Sequence, residues 1–263
     1  MFNPANSGCR SRHSERLEQR DDPMSIANPT FLLDKVKEHF QSEARDFDRI
    51  IQKLIPYYQE MVQALILAIP FHRTDAIRVL DVGCGTGTIA RRVLDVFPSA
   101  ELTCLDFTEN MVAAARRKLS AYSQVRFVVK DFRQFEWSTS YHVVISCLAL
   151  HHLVTDEDKQ AFYRQVYAAL KPGGCFYNAD IVLASSAHVQ EAYLAKWKAY
   201  MRRKLSEEKI ERTWLPKYRQ EDHPAPLWDQ LEWLSKLGFK AIDVPWKYYN
   251  VAVYGGVKAG LFP

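Results

Sequence analysis

The sequence predicts an α/β fold in which a mostly parallel sheet carries helices on both faces and a helical cap is inserted near its end. Three observations predict it. From residue 77 onward, short apolar runs of strand texture alternate with longer segments of helical period. A glycine-rich turn follows the first of those runs, and an acid stands at or just beyond the end of each of the first three. Strands that alternate with helices need crossover connections, and crossovers make neighbouring strands parallel.

Taken in order, residues 1–30 are polar and charge-rich with few apolar anchors, the texture of a disordered tail. Residues 31–39 and 46–69 are expected to be helices. In the second, Phe47, Ile50, Ile51, Leu54, Tyr58, Met61, Val62 and Leu65 recur at three- and four-residue spacing, giving one apolar stripe that Pro56 should kink. Strands are expected at 77–82, 102–105, 125–129 and 143–147. Helices are expected from the glycines through residue 97, at 109–119 and at 157–170. Lys171-Pro172-Gly173-Gly174 stops the last of these before a fifth strand at 175–183. Residues 185–224 break the rhythm with aromatics and a basic run, and read as the inserted cap. A helix at 227–237, stopped by Gly238, leads to a closing pair of strands at 239–246 and 249–258.

Composition sets bounds on function. Hydrophobic residues make up 48% of the 263 positions, enough for a sizeable core. The 35 cations nearly balance 31 anions, so the charge of +4 calls for no nucleic acid partner. No apolar run approaches the ~18 residues of a spanning helix, and no signal segment opens the chain, which points to the cytoplasm and no membrane. The five cysteines, Cys9, Cys84, Cys104, Cys147 and Cys175, show no C-x-x-C spacing. Neither zinc nor any other metal is expected on that count.

The informative segment is Val79-Leu80-Asp81-Val82-Gly83-Cys84-Gly85-Thr86-Gly87, which runs from strand through glycines into helix. Glycines let a backbone turn sharply and approach a ligand where a Cβ would clash. Asp81, ahead of the glycines, suits a ligand bearing an amino group and suits two phosphates poorly. Asp106 ends the second strand, where an acid accepts from both hydroxyls of a ribose. Phe107 and Met111 follow, ready to pack on an adenine face. Asp131, with Phe132 beside it, follows the third strand and can accept from an adenine amino group. Each acid alone reads equally well as a helix cap or a surface charge. Three after successive strands, with the glycine turn, do not.

With Asp81–Gly87, Asp106, Asp131 and Lys171–Gly174 in that order, the chain resembles the class I S-adenosylmethionine (SAM)-dependent methyltransferase superfamily over about residues 45–258. The resemblance implies a Rossmann-like seven-stranded sheet with an antiparallel last strand, and SAM at the ends of strands one to four. Gly83, Cys84 and Gly85 would join Asp81 on the methionyl part. Ile55-Pro56-Tyr57-Tyr58, the Pro-Gly-Gly turn, the cap and Leu237-Gly238-Phe239 are further similar to carboxy-SAM synthase, a tRNA-modification enzyme of that superfamily. That likeness implies that Tyr58 touches SAM and that an arginine near Arg212 meets a carboxylate on the modified cofactor. The stretch Ser146-Cys147-Leu148-Ala149-Leu150-His151-His152 departs from the synthase pattern, which has Asn-Phe and no paired histidine.

Methyl transfer from a sulfonium is an in-line displacement, and much of its barrier is lowered by holding donor and acceptor in line. A base is needed only where the acceptor must lose a proton. His152 is the first choice, by resemblance to small-molecule methyltransferases that use a histidine after strand four, and His151 is the second. Either ring also reads as a packed imidazole bonded to backbone. Cys147 lacks the Pro-Cys or Thr-Cys context of cytosine-C5 enzymes and reads as a small buried residue beside the methionyl arm. The Asp-Pro-Pro-aromatic and paired-glutamate motifs of macromolecular methyltransferases are absent. Trp197, Trp214, Trp246, Tyr248 and Tyr249 wall an acceptor pocket or pack helices. Arg202, Arg203 and Lys204 attract an acidic substrate or form a solvated face. The expected activity is methylation of a small molecule at oxygen, nitrogen or sulfur. The alternatives are a carboxy-SAM synthase-like enzyme acting in tRNA wobble-uridine modification, and a SAM-binding regulator without transferase activity. Relatives of this kind raise a homodimer.

Overall fold

The computed structural model describes residues 46–137 and 140–260; the expected tail at 1–30 and helix at 31–39 lie outside them. Seven strands form one sheet: β1 (Arg78–Val82), β2 (Glu101–Asp106), β3 (Val125–Val129), β4 (Tyr141–Cys147), β5 (Leu170–Ile181), β6 (Phe239–Tyr248) and β7 (Val251–Lys258), in the order β3-β2-β1-β4-β5-β7-β6. The first five pair in parallel, and β7 runs antiparallel to both β5 and β6. The Rossmann-like α/β expectation, including the antiparallel last strand, matches this topology.

Helices flank the strands. Two, α1 (Phe47–Leu54) and α2 (Tyr58–Leu67), precede β1. The 46–69 stretch was expected to bend as one helix, and it breaks into two. Pro56 has no N–H to continue the ladder, and Tyr57 takes a left-handed φ of 51°. The crossover helices are α3 (Thr88–Val96), α4 (Glu109–Lys118) and α5 (Asp156–Ala169), the last opened by a Thr155–Asp158 capping box. Strand β5 starts at Leu170, so the Lys171–Gly174 turn lies within the strand rather than before it. Pairing of Tyr141 with Leu170 before a register shift explains that earlier start.

Side chains alternate across the sheet and feed two cores. Val79, Cys104, Val143, Ile145, Tyr177 and Val253 meet Met61, Leu65, Ile89 and Val93 of α2 and α3. Leu80, Leu105, Val144, Phe176 and Tyr254 meet Phe162, Tyr163 and Val166 of α5, with Leu234 of α9 (Leu227–Leu237). The cap consists of α6 (Ala187–Met201), a short α7 (Glu207–Lys209), a π turn at Ile210–Trp214 and α8 (Leu215–Glu221). It has a small core of its own in Trp197, Met201, Ile210, Trp214 and Leu215. Trp197 Nε1–H ties the cap to α1 by donating to the Leu54 carbonyl at 2.7 Å. No helix of the described residues is long and apolar enough to cross a membrane.

One polar network crosses the second core. Tyr163 Oη donates to Gln230 Oε1 at 2.6 Å, Tyr254 Oη donates to the same atom, and Asn178 Nδ2 donates to Tyr254 Oη at 2.9 Å. Asn178 Nδ2 also reaches Asp180 Oδ2 at 3.2 Å, so the network ends beside the carboxyl tip of β5. A buried hydroxyl that donates to one partner and accepts from another leaves both short when it is removed. Tyr254→Phe should therefore cost about 1–3 kcal/mol of stability in chemical denaturation; a change within error would remove the network from the account of the fold.

Candidate functional site

The site forms where β1, β2, β3 and β4 end. After β1 the chain turns through Gly83, Gly85 and Gly87 at φ of 68°, 51° and 78°, the left-handed region that glycine enters without strain. The turn packs against the segment after β4: a Cβ on Gly83 would lie 2.3 Å from Ala149 Cβ. Gly85 N–H donates to Asp106 Oδ2 and Thr108 N–H to Asp106 Oδ1, each at 2.9 Å. Both Asp106 oxygens are thus pinned by backbone, and each keeps acceptor capacity for a ligand. Burial pushes its pKa up, against the lowering pull of the Thr108 and Gly85 amides.

Asp81 differs. It has no exposed surface, and neither carboxylate oxygen has a hydrogen-bond partner. Burial first, and the Asp106 charge second, raise its pKa to about 7, with the Ala90 amide in the first turn of α3 opposing. A buried carboxylate without a counter-charge holds its proton. Asp131 is tied locally: it accepts from the Arg133 amide at 2.9 Å, and the Arg133 guanidinium grips both its oxygens.

These groups surround a cavity of about 820 Å³. Of the residues singled out from sequence, Tyr58, Gly83, Cys84, Gly85, Asp106, Phe107, Met111, Asp131, Phe132, Cys147 and His152 line it. Asp81 does not reach its surface, and His151 lines a second cavity instead. Burial raises the thiol pKa of Cys147 and the hydroxyl pKa of Tyr58 well above their ordinary values, so both present as neutral groups.

Sequence reasoning missed Phe47 and the polar joint that brings it there. Asp48 accepts from Thr86 Oγ1 at 2.6 Å, Thr88 Oγ1 at 3.0 Å and Lys118 Nζ at 2.7 Å, which fastens α1 over the glycine turn. Burial pushes the Asp48 pKa up, and these bonds more than reverse it, for a net lowering. Asp48 and Lys118 are 70 residues apart, and no pattern in the chain links them.

The second cavity, of about 710 Å³, lies under the cap. Ile50, Ile51, Leu54, Ile55, Ile181, Trp197 and Trp214 give it apolar walls, and His151, His152, Lys217, Glu221 and Asp222 line it as well. Phe47, Leu148 and His152 line both cavities. Trp197 and Trp214 thus face the cavity, whereas Trp246, Tyr248 and Tyr249 line neither. Tyr248 and Tyr249 pack edge-on against Tyr57 and Tyr193, and Trp246 packs against the first core. Of the basic run, Arg202 pairs with Glu207 at the surface. Arg212, expected to meet a cofactor carboxylate, is 79% exposed and pairs with Glu208; it stands one helical turn from that acid on the outer side of the cap.

The paired histidines sit on a 3-10 turn, Leu150–His152, after Leu148 has turned left-handed at φ 54°. His151 Nδ1 lies 2.5 Å from Asp180 Oδ1, and its Nε2 lies 3.5 Å from Asp222 Oδ1. Burial alone would lower its pKa, but the two carboxylates lift it to about 9. A proton-accepting role for His151 is thereby disfavoured, because the ring already carries its proton at neutral pH. His152 Nδ1 lies 3.1 Å from the Glu221 carbonyl oxygen. A carbonyl only accepts, so Nδ1 carries the proton and Nε2 is the basic nitrogen.

Comparisons with known proteins bear on the family and the fold. Residues 79–174 match a family described as a methyltransferase domain. The carboxy-S-adenosyl-L-methionine synthase of Nautilia profundicola is 22% identical over 84% of this chain and 94% of its own length. The malonyl-[acyl-carrier protein] O-methyltransferase of Bacillus cytotoxicus is 36% identical over 29% of this chain and 26% of its own. Among solved structures, human N-acetylserotonin methyltransferase in complex with SAM superposes with a TM-score of 0.59 at 14% identity. It matches over 90% of this chain, and this chain spans 60% of that one, so the likeness is one of fold.

The pKa of Asp81 gives a stability signature. An unfolded aspartate ionises near ~4, whereas folded Asp81 holds its proton up to about 7. The native state therefore binds the extra proton between those values, and this residue's contribution to stability falls as pH rises through that window. The melting temperature of wild type relative to Asp81→Asn should drop between pH 5 and pH 8 by several degrees, on the order of 1–3 kcal/mol. A difference independent of pH would contradict the assignment.

Proposed function

We propose that this chain, a class I SAM-dependent methyltransferase, methylates a small-molecule acceptor seated in the second cavity. One observation carries the reading: Phe47, Leu148 and His152 form a wall common to both cavities. A donor in the first and an acceptor in the second would meet at that wall.

The residues present fit SAM. Asp81, buried just outside the cavity lining with no counter-charge, suits a nearby ammonium, and such a cation would favour its ionised form. Asp106, with both oxygens pinned from one side, suits a ribose diol. Phe107, Met111 and Phe132 would pack on adenine, with Asp131 accepting from its amino group. Gly83, Cys84 and Gly85 would flank the methionyl arm, with Cys147 and Tyr58 along its reactive end. When bound, SAM supplies a methyl group already activated on a sulfonium. What this chain's residues add is orientation and dryness: Phe47 and Leu148 exclude water from the shared wall. Where the acceptor carries a proton, His152 takes it at Nε2, with Nδ1–H held by the Glu221 carbonyl.

A cofactor-modifying reading in the manner of the synthase relative finds less support. Arg212 faces solvent, and among the described residues no arginine lines either cavity. Mass spectrometry of the native protein tests this directly: a co-purified ligand heavier than SAM by one carboxyl group would overturn the methyl-transfer reading.

Two substitutions test the assignment. Asp106→Ala should weaken SAM binding in calorimetry by about 1.5–3 kcal/mol, since it removes charged hydrogen bonds to two hydroxyls. His152→Ala should lower turnover by about 10²–10⁴-fold while SAM affinity stays within about twofold. Turnover is read as S-adenosylhomocysteine release against a panel of small hydroxylated and aminated aromatics. Unchanged turnover in His152→Ala would end the proton-acceptor role, and unchanged affinity in Asp106→Ala would end the ribose role.

A further inference from the structure

We propose that His151, His152 and Asp222 form a binding site for a divalent transition-metal ion, opening on the second cavity. One ring nitrogen from each histidine and one Asp222 carboxylate oxygen lie within 4.8 Å of one another, and both histidines are buried. Two of the separations are already close to bonding geometry. Asp222 Oδ1 is 3.5 Å from His151 Nε2 and 3.6 Å from His152 Nδ1. Ligands about 2.0–2.2 Å from a shared tetrahedral ion stand roughly 3.3–3.6 Å apart. Side-chain shifts of a few tenths of an ångström, with the His151 Nε2 proton released to solvent, would place an ion at bonding distance from Asp222 and both rings.

The surroundings have the form of a metal site's outer shell. A metal-binding imidazole characteristically gives its other nitrogen to a carboxylate, which fixes the ring and raises its basicity. His151 does this: its Nδ1 is 2.5 Å from Asp180 Oδ1, and its backbone amide donates to Asp180 Oδ2 at 3.1 Å. Asp180 is in turn held by Asn178 Nδ2 at 3.2 Å and by the Ile181 amide at 2.9 Å. Asp222 is steadied through the chain beside it, where the His223 amide donates to the His151 carbonyl at 2.7 Å. Asp180 and Asp222 together neutralise a divalent charge, which a buried ion needs.

Two histidines and one carboxylate are a recurrent triad for first-row ions, and three protein ligands leave positions open. His151, His152 and Asp222 all line the second cavity, and His152 also lines the first. An oxygen or nitrogen of an acceptor in that cavity can complete the coordination shell, next to the wall where methyl transfer is proposed. The ion would then polarise the acceptor atom and ease loss of its proton. In the loaded protein that task passes from His152 to the ion, because a ring bound through Nδ1 carries its proton on Nε2. The metal site itself stands whether or not the methyl-transfer reading holds.

The test uses the full chain stripped of metal, with Co²⁺ as the probe. The expected result is visible d–d absorption that saturates at one ion per chain and is displaced by Zn²⁺. His151→Ala and Asp222→Asn should each weaken Co²⁺ binding by at least about 100-fold. Asp180→Asn, which strips only the outer carboxylate, should weaken it by about 10–100-fold. His188→Ala, at an exposed histidine on α6, should leave it unchanged. Circular dichroism and SAM calorimetry on each variant report folding and the donor site separately. Absent absorption at millimolar Co²⁺, or equal binding by His151→Ala and Asp222→Asn in folded, SAM-binding protein, would overturn the site.

Discussion

The contact on which the rest depends is the approach of the glycine turn after β1 to the turn after β4. At Gly83 the two segments come so close that a single methyl group would collide with Ala149. That approach is possible because β1 and β4 are paired neighbours and because φ at Gly83 is positive. It sets the carboxylates of β1 and β2 on one side and the histidine pair on the other. In an open α/β sheet, ligands gather at the carboxyl ends of strands where the order of connection reverses. Here β1 lies between β2 and β4, so the crevice opens at that point.

The electrostatics follow from burial. Asp106 keeps its place through two backbone donors, whereas Asp81 is sealed with only the Ala90 amide acting on it, so the two acids ask different things of a ligand. One is a fixed double acceptor; the other is a buried acid that a nearby cation would ionise. On the far side of the shared wall, His151 sits between two carboxylates and His152 rests against a cap carbonyl. The end of the cap at Glu221–His223 therefore shapes the acceptor cavity and the histidines together.

How much of this was legible in the sequence depended on distance along the chain. The strands, their alternation with helices and the three acids were readable because period and turn chemistry are local signals. Pro56 was read as a kink, yet the residue after it turned left-handed and broke the helix. The cavity-lining residues near Gly83–Gly87, Asp106 and Asp131 could be picked out in the chain because each lies at or just after the end of a strand. Phe47, the Asp48–Lys118 joint and the meeting of His151 with Asp180 and Asp222 could not be found. They join segments tens of residues apart, and no single-chain pattern encodes such contacts. The histidines were visible as a pair, but their division of labour was not: it is set by Asp180, Asp222 and Glu221.

The central claim is that donor and acceptor meet across a wall made by Phe47, Leu148 and His152. A crystal structure of the chain with S-adenosylhomocysteine measures this most directly. The account predicts nucleoside hydroxyls on Asp106, the amino group turned toward Asp81, and the sulfur facing the side of the cavity that His152 shares with the capped space. A nucleoside lodged elsewhere, or a sulfur turned away from that wall with protein filling the gap, would contradict it.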